Sequence, residues 1–172
     1  TLTVTDTNGC SSSVTHIVNV PEAPHAFFDA NDPVCLGQPT CFTDLSWVDN
    51  PATEYIATWI WNYADGSPND TIQFPDNPNT CHTYSSLGTY PVTLTVIDNY
   101  GYNNSYTKNI QLLPNPIAGF IYSGPCQNMN VQFTDISNEN GGGTIVSRQW
   151  DFGDPTSGVN NTSNLVNPTH QF

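Results

Sequence analysis

The clearest pattern of hydrophobic and polar positions lies between residues 88 and 98. Tyr90, Val92, Leu94 and Val96 fall on one face of this stretch, and threonine or proline occupies most positions of the other face. A period of two predicts a β-strand with one side buried. These four residues are therefore the first members of the predicted core.

Shorter apolar runs bounded by Gly, Pro, Asn and Asp predict further strands before and after this one. The segment 23–113 then contains seven strands, predicted over 25–30, 39–46, 55–63, 70–74, 80–84, 88–98 and 104–112. No stretch repeats its apolar positions with the period of a helix. Seven short strands separated by frequent turns are typical of an immunoglobulin-like β-sandwich, so the predicted fold class is all-β.

The sequence also repeats itself. Residues 1–6 match residues 93–98 at an offset of 92, and Phe42-Thr43-Asp44 matches Phe133-Thr134-Asp135 at an offset of 91. Further matches pair Trp61 with Trp150, Tyr63 with Phe152, Asp65 with Asp154, Asn77-Pro78 with Asn167-Pro168, and His82 with His170. Ordered matches at a nearly constant offset indicate a tandem array of similar domains.

This repeat divides the chain into three predicted parts. Residues 1–22 are the last two strands of one repeat, residues 23–113 form a complete repeat, and residues 114–172 begin a third repeat that lacks its last two strands. The connecting segments, Pro21-Glu22-Ala23-Pro24 and Leu113-Pro114-Asn115-Pro116, are short and contain proline. We expect them to act as stiff spacers.

The incomplete third repeat leaves two hypotheses about assembly. Either the parent chain continues at both ends, or residues 1–20 of one molecule complete residues 114–172 of the next. The second hypothesis would build a head-to-tail filament by strand addition. In both cases the expected partners are neighbouring repeats or subunits.

Composition narrows the range of partners and the cellular compartment. The chain has 15 acidic residues and only two basic ones, Lys108 and Arg148, and its formal net charge is -13. Such a chain is repelled by nucleic acids and by anionic membranes. It also has no run of the ~18 apolar residues that insertion into a membrane requires. Few lysines, many threonines and asparagines, and scattered cysteines favour an oxidising, extracellular location.

Two motifs carry a resemblance to a known family. The first is Trp150-Asp151-Phe152-Gly153-Asp154, which recurs with substitutions as Trp61-Asn62-Tyr63-Ala64-Asp65-Gly66. The second is His82-Thr83-Tyr84, followed by Gly88-Thr89-Tyr90 and the alternating strand. This combination resembles the PKD (polycystic kidney disease) repeat. Pro155 departs from the family pattern, which has glycine after the last Asp of the first motif.

The resemblance implies a β-sandwich without catalytic activity. Similar repeats are stacked in large secreted or surface proteins of Bacteroidetes-type bacteria, often as adhesin stalks, and others are accessory modules of secreted proteases and glycosidases. We therefore expect a structural or adhesive array that contacts surface glycans or proteins. The alternative is a carbohydrate- or protein-binding accessory module of a secreted hydrolase. No Ser/His/Asp or Cys/His arrangement is legible, so no catalytic residue is expected.

The positions of the aromatic residues, in the core or on the surface, distinguish these two hypotheses. Trp61, Tyr63, Trp150 and Phe152 are expected in the core, since a Trp on the third strand of such a sandwich packs between the sheets. Trp47 and the strand residue Trp59 are left open between core and ligand surface. They are the candidate ligand-binding residues if the chain is an accessory module.

Asp65 and Asp154 each follow an aromatic strand and are expected to accept backbone hydrogen bonds that shape the turn. The alternative is a calcium site, because this cation prefers oxygen ligands. Candidate calcium ligands are Asp65, Asn69, Asp70, Asp151 and Asp154. The spacing is not that of an EF-hand, and no other cofactor is expected.

The five cysteines contain no CxxC pair, which disfavours a zinc ribbon. In an immunoglobulin-like order the second and fifth strands are antiparallel neighbours. Cys41 and Cys81 lie on these strands, so we predict a disulfide between them. The partners of Cys10, Cys35 and Cys126 stay open, and the odd count requires that at least one cysteine is free or bonded outside this chain.

Several positions fit glycosylation motifs. The N-glycosylation sequon occurs at Asn69, Asn103, Asn160 and Asn161. Asp70-Thr71-Ile72 resembles an O-glycosylation motif of Bacteroidetes-type secreted proteins, with Thr71 as the acceptor. Asn- and Thr-rich chains produce such motifs by chance, so these sites are the weakest of the predictions.

Overall fold

The computed structural model describes residues 1–17, 22–124 and 129–172. Pro21 of the first predicted linker and Cys126 lie outside the described residues. The strands are β1 Leu2–Thr5, β2 Ser11–Val14, β3 Phe28–Ala30, β4 Val34–Cys35, β5 Thr40–Asp44, β6 Ile56–Asn62, β7 Asp70–Gln73, β8 Thr80–His82, β9 Thr89–Asp98, β10 Asn103–Leu113, β11 Phe120–Ser123, β12 Asn130–Asp135, β13 Trp150–Asp151, β14 Thr162–Ser163 and β15 Thr169–Gln171. A 3-10 helix spans Pro155–Asn161. The described part of the chain contains no helix long and apolar enough to span a membrane.

Residues 23–113 form a β-sandwich, which confirms the predicted fold class. One sheet has the strand order β3-β5-β8, and the other has the order β4-β10-β9-β6-β7. Each of the seven predicted strands is present. The prediction missed β4, a two-residue strand that pairs in parallel with the end of β10. Two residues directly after a proline turn are too few to show a period of two.

The core lies between these two sheets. Trp61 is fully buried at its centre, with its ring 5.1 Å from that of Phe28 and 5.5 Å from that of Phe42. Its indole Nε1 donates a hydrogen bond to the carbonyl oxygen of Pro78 at 3.0 Å. The predicted core residues Val92, Leu94 and Val96 are also fully buried, as is Tyr63, while Tyr90 is half-buried at the edge of the cluster.

The hairpin β1–β2 has the same strand register as β9–β10. Leu2 lies opposite Val14, as Leu94 lies opposite Tyr106. Both pairs agree with the sequence offset of 92. The central sandwich buries Leu94 completely, whereas Leu2 is 63% exposed. The β1–β2 hairpin therefore presents an apolar face that its counterpart buries.

The turns of the two hairpins are built alike as well. The Asp6 carboxylate accepts the backbone N–H groups of Asn8 and Cys10, both at 2.9 Å. Asp98 makes the same two bonds, to the residues two and four positions further along, at 2.8 and 2.9 Å. A side-chain oxygen that accepts these donors is a common way to close a tight turn.

Residues 114–172 repeat part of the central architecture. Strands β11, β12 and β15 form one sheet in the order of β3, β5 and β8, and β13 pairs with β14 as β6 pairs with β7. The Asp135 N–H donates to the Asn167 side chain, as the Asp44 N–H donates to that of Asn79. The structure therefore equates Asn167 with Asn79, two residues after the Asn77 that sequence matching pairs with it.

Candidate functional site

Three aromatic side chains on or next to strand β6 are buried on the same face. Trp61 and Tyr63 lie in the core, as expected for the third strand of such a sandwich, and Trp59 lies beside them with only 7% of its surface exposed. Its Nε1 donates to Asp44 Oδ2 at 2.8 Å. The hypothesis that Trp59 belongs to a ligand surface is wrong, because this residue shares the inward face with Trp61 and the sandwich covers both.

The hydrogen bond of Trp59 has a counterpart in residues 114–172. Arg148 occupies the position equivalent to Trp59, and its Nε donates to Asp135 Oδ2 at 2.8 Å. The hydrogen bond from Ser137 and the bond from Arg148 lower the pKa of Asp135 to about 2. The carboxylate at this position thus keeps a nitrogen donor although the donor residue changes from an indole to a guanidinium.

The turn after the aromatic strand is closed by an Asp–His pair. His82 Nε2 lies 2.7 Å from Asp65 Oδ2, and the His82 ring stacks on the Tyr63 ring at 4.0 Å. The N–H of Ser67 donates to the same carboxylate at 3.0 Å. Partial burial raises the pKa of Asp65, but the hydrogen bonds from Ser67 and His82 outweigh it and hold the pKa at about 2. Asp65 therefore joins the turn to strand β8 as an ionised acceptor.

The same pair recurs in residues 114–172. His170 Nε2 lies 3.3 Å from Asp154 Oδ2, and the His170 ring stacks on that of Phe152 at 4.4 Å. Trp150 and Phe152, both predicted core residues, are half-buried here. Two equivalent Asp–His pairs that each bind a turn to a strand have a structural role.

The four carboxylates among the candidate calcium ligands form hydrogen bonds within the fold. Asp70 Oδ2 accepts the Tyr63 hydroxyl at 2.6 Å, and Asp151 Oδ1 accepts the N–H of Gly153 at 2.9 Å. Asn69 is exposed. In the described part of the chain, none of the four candidate carboxylates belongs to a cluster of three or more Cys, His, Asp or Glu ligand atoms.

The predicted cysteine pair is joined in the structure. Cys41 and Cys81 lie directly opposite each other on β5 and β8 and form a disulfide, with 4.0 Å between their Cα atoms. Cys10 and Cys35 are exposed free thiols.

The glycosylation candidates differ in accessibility. Asn69, Thr71, Asn103 and Asn160 are exposed, so an attached sugar would meet no steric obstacle from the burial of these residues. Asn161 is half-buried, and its Oδ1 accepts the Asp154 N–H at 2.6 Å. An N-linked glycan is attached at Nδ2, which donates to Asp151 Oδ1 at 3.0 Å, so glycosylation of Asn161 would remove a donor hydrogen at this contact.

The group formed by His25, Trp47 and Asp49 was not predicted from the sequence. In the sequence His25 has no neighbouring residue that suggests a partner. His25 Nε2 lies 2.9 Å from Asp49 Oδ2, and the His25 ring stacks on Trp47 with 4.6 Å between centroids. Trp47 is 50% exposed, so it is the candidate ligand residue that reaches the surface. The alternation of Trp47 and Asp49 places them on one side of the loop, but the sequence alone does not show that His25 lies opposite.

Comparisons with known proteins identify similar sequences and structures. A family model described as "PKD domain" matches residues 21–112. Similar solved structures include the PKD1 domain of Vibrio anguillarum Epp, at 22% identity over 54% of this chain and 96% of that chain, with a TM-score of 0.44. The PKD1 domain of the Vibrio cholerae metalloprotease PrtV is 23% identical over 53% of this chain and 98% of that chain, with a TM-score of 0.43.

A third structure comes from the carbohydrate-binding modules of the β-sandwich superfamily, described as having promiscuous specificity. It is 20% identical over 67% of this chain and 56% of that chain, with a TM-score of 0.49. The family model covers more than half of the chain. The chain belongs to the PKD domain family.

Proposed function

We propose that this chain is a non-catalytic segment of an extracellular array, in which PKD domains space or attach surface structures. Its main partners are neighbouring domains, and its other partners are surface proteins or glycans. The disulfide between Cys41 and Cys81 supports an oxidising compartment. The net charge of -13 argues against nucleic acid as a partner.

The observation that carries this proposal is the match between hairpins β1–β2 and β9–β10. In the central sandwich, β9–β10 covers the sheet that contains Phe28, which is 1% exposed. The equivalent residue of the third unit, Phe120, is 56% exposed. Residues 1–17 thus contain a hairpin without a sandwich to cover. Residues 114–172 contain the start of a sandwich without the hairpin that would cover it.

This complementarity is what a tandem array requires, because each domain is completed by a hairpin of the β9–β10 type. The proposal holds whether the hairpin that covers Phe120 belongs to the same polypeptide or to a second molecule. In the second case the contact between molecules would be a strand addition that builds a filament.

The strand order of the central domain also suits a spacer that bears tension. After β3 the chain crosses to the other sheet as β4, and β4 is the parallel neighbour of the end of β10, where the chain leaves the domain. The ladder continues when Leu36 donates its N–H to the Leu113 carbonyl at 2.9 Å. A pull on the two ends of the domain would shear these parallel bonds together, whereas a hairpin loaded from one end opens one bond at a time.

The array proposal predicts that a grafted hairpin completes the third unit. Residues 85–113 appended after Phe172 would cover Phe120 and Tyr122, since His82-Thr83-Tyr84 precedes residue 85 as His170-Gln171-Phe172 would precede the graft. Burial of these two half-exposed rings alone contributes about 2 kcal/mol. We expect lower binding of a hydrophobic dye and a higher unfolding temperature than in the original chain.

The matched control is the same graft with Val92→Asp and Leu94→Asp in the appended copy, because charged side chains cannot enter the core. Equal dye binding by the graft, its control and the original chain would contradict the array proposal. So would a graft that stays unfolded beside an intact central domain.

The alternative function, an accessory module that binds carbohydrate or protein, rests on the half-exposed ring of Trp47. One ring face already stacks on His25, so a sugar would stack on the remaining surface. This alternative predicts that the chain binds glycans in a screen of immobilised glycans. It also predicts that Trp47→Ala weakens this binding at least tenfold. If the chain bound no glycan in this screen, or if Trp47→Ala left the binding unchanged, the alternative would be contradicted.

A further inference from the structure

Three potential metal ligands meet where the chain enters the central domain. Glu22, His25 and Asp49 each offer one ligand atom, and these atoms all lie within 4.8 Å of one another. Glu22 and His25 belong to the segment that leads into the domain, whereas Asp49 lies in the loop after β5. In the described part of the chain, no other group of His, Cys, Asp or Glu meets this condition.

The imidazole is held in place by two kinds of contact. His25 and Trp47 exchange backbone hydrogen bonds of 2.8 and 3.0 Å, which form an isolated antiparallel bridge. Their rings stack with only 8° between the planes. Since the ring of His25 already points its Nε2 at Asp49, a metal ion would find two ligands oriented in advance.

The two carboxylates place negative charges close together, which favours the binding of a cation. The ligand oxygens of Glu22 and Asp49 lie within 4.8 Å of each other and of the ligand nitrogen of His25. Two like charges this close repel each other, and a divalent ion relieves this repulsion more fully than one imidazole.

The third unit shows that the fold itself does not need these side chains. Ile117 and Asn138 form the same antiparallel bridge, with N–H to oxygen distances of 2.8 and 2.9 Å. The positions equivalent to Glu22, His25 and Asp49 are occupied there by Pro114, Ile117 and Asn140. The backbone arrangement is therefore retained where all three ligands are missing, which leaves the ligand set of the central domain without a structural explanation.

We propose that Glu22, His25 and Asp49 bind a divalent transition-metal ion of the Zn²⁺ class. One imidazole and two carboxylates match the ligands that Zn²⁺ takes, and three protein ligands leave one tetrahedral position for water. Calcium fits less well because it takes six to eight oxygen ligands. This inference does not depend on the array function, although a bound ion would fasten the entering segment to the domain.

The test is calorimetric titration of the folded 172-residue chain with Zn²⁺. The three cysteines other than Cys41 and Cys81 are replaced by Ser in every protein, since free thiolates would bind the metal on their own. We expect one Zn²⁺ per chain, with affinity at least tenfold weaker in His25→Ile and in Asp49→Asn, the residues of the third unit. Tryptophan fluorescence should change with the same midpoint, since Trp47 stacks on His25.

His16→Ala is the matched control, because it removes a histidine that is outside the cluster and should leave the affinity unchanged. Circular dichroism checks that each variant is folded, and Glu22→Gln provides a third variant that changes only one oxygen to nitrogen. Equal affinity of the parent and all three ligand variants would overturn the proposal. Binding of Ca²⁺ as tightly as Zn²⁺ would overturn the choice of a transition metal.

Discussion

Replacement of Trp61 by alanine is expected to destabilise the central domain by about 3–5 kcal/mol. The side chain is fully buried between Phe28 and Phe42, so its loss leaves a cavity that the rigid strands around it fill only in part. The Pro78 carbonyl also loses its hydrogen-bond donor. Unfolding in urea, followed by circular dichroism, measures the change in the free energy of unfolding.

Trp47→Ala is the matched control, because the same side chain is removed from a half-exposed position. Surface substitutions usually change stability by less than about 0.5 kcal/mol, and the lost stacking on His25 adds little to this. If the two variants lost equal stability, Trp61 would not be the centre of the core. The comparison separates the effect of burial from the effect of removing an indole ring.

Removal of the disulfide by Cys41→Ser and Cys81→Ser is expected to have an effect of similar size, about 4 kcal/mol. The bond closes a loop with a sequence separation of 40 residues, and the loss of this constraint increases the entropy of the unfolded chain. Since Cys81 is exposed, a reducing agent should reach the bond in the folded protein and destabilise it likewise. Urea unfolding with and without reductant measures both effects.

Cys10→Ser with Cys35→Ser is the control for this prediction, because both are exposed free thiols outside the bond. This variant should keep the stability of the parent and its sensitivity to reductant. A parent protein whose unfolding midpoint is unchanged by reductant would contradict the prediction. It would mean that the unfolded chain is already restricted by other contacts.

These two predictions concern the parts of the fold that local sequence pattern described well. The alternation from Tyr90 to Val96 is visible without any knowledge of neighbours, because a half-buried strand has a period of two. The pairing of Cys41 with Cys81 could be predicted once the strand order of the sandwich was assumed. Strand β4 was missed, since two residues carry no period and its pairing partner lies far along the chain.

The site residues were harder to predict because their roles depend on which surfaces meet. Trp59 and Trp47 look alike in sequence, yet one donates to Asp44 inside the sandwich and the other lies half-exposed beside His25. The separation between His25 and Asp49 hides their contact, which depends on a backbone bridge between two loops. Neither periodicity nor motif encodes such a bridge.

The sequence by itself determined the all-β fold and the PKD family, because strand period, turn residues and ordered motifs are local properties of the chain. Only the tertiary structure decided that Trp59 is buried, that Asp65 and Asp154 pair with His82 and His170, and that Glu22, His25 and Asp49 converge. Burial, charge and ligand geometry are properties of atoms brought together from distant positions. They arise when the two sheets close over the core and the loops at their ends take fixed places.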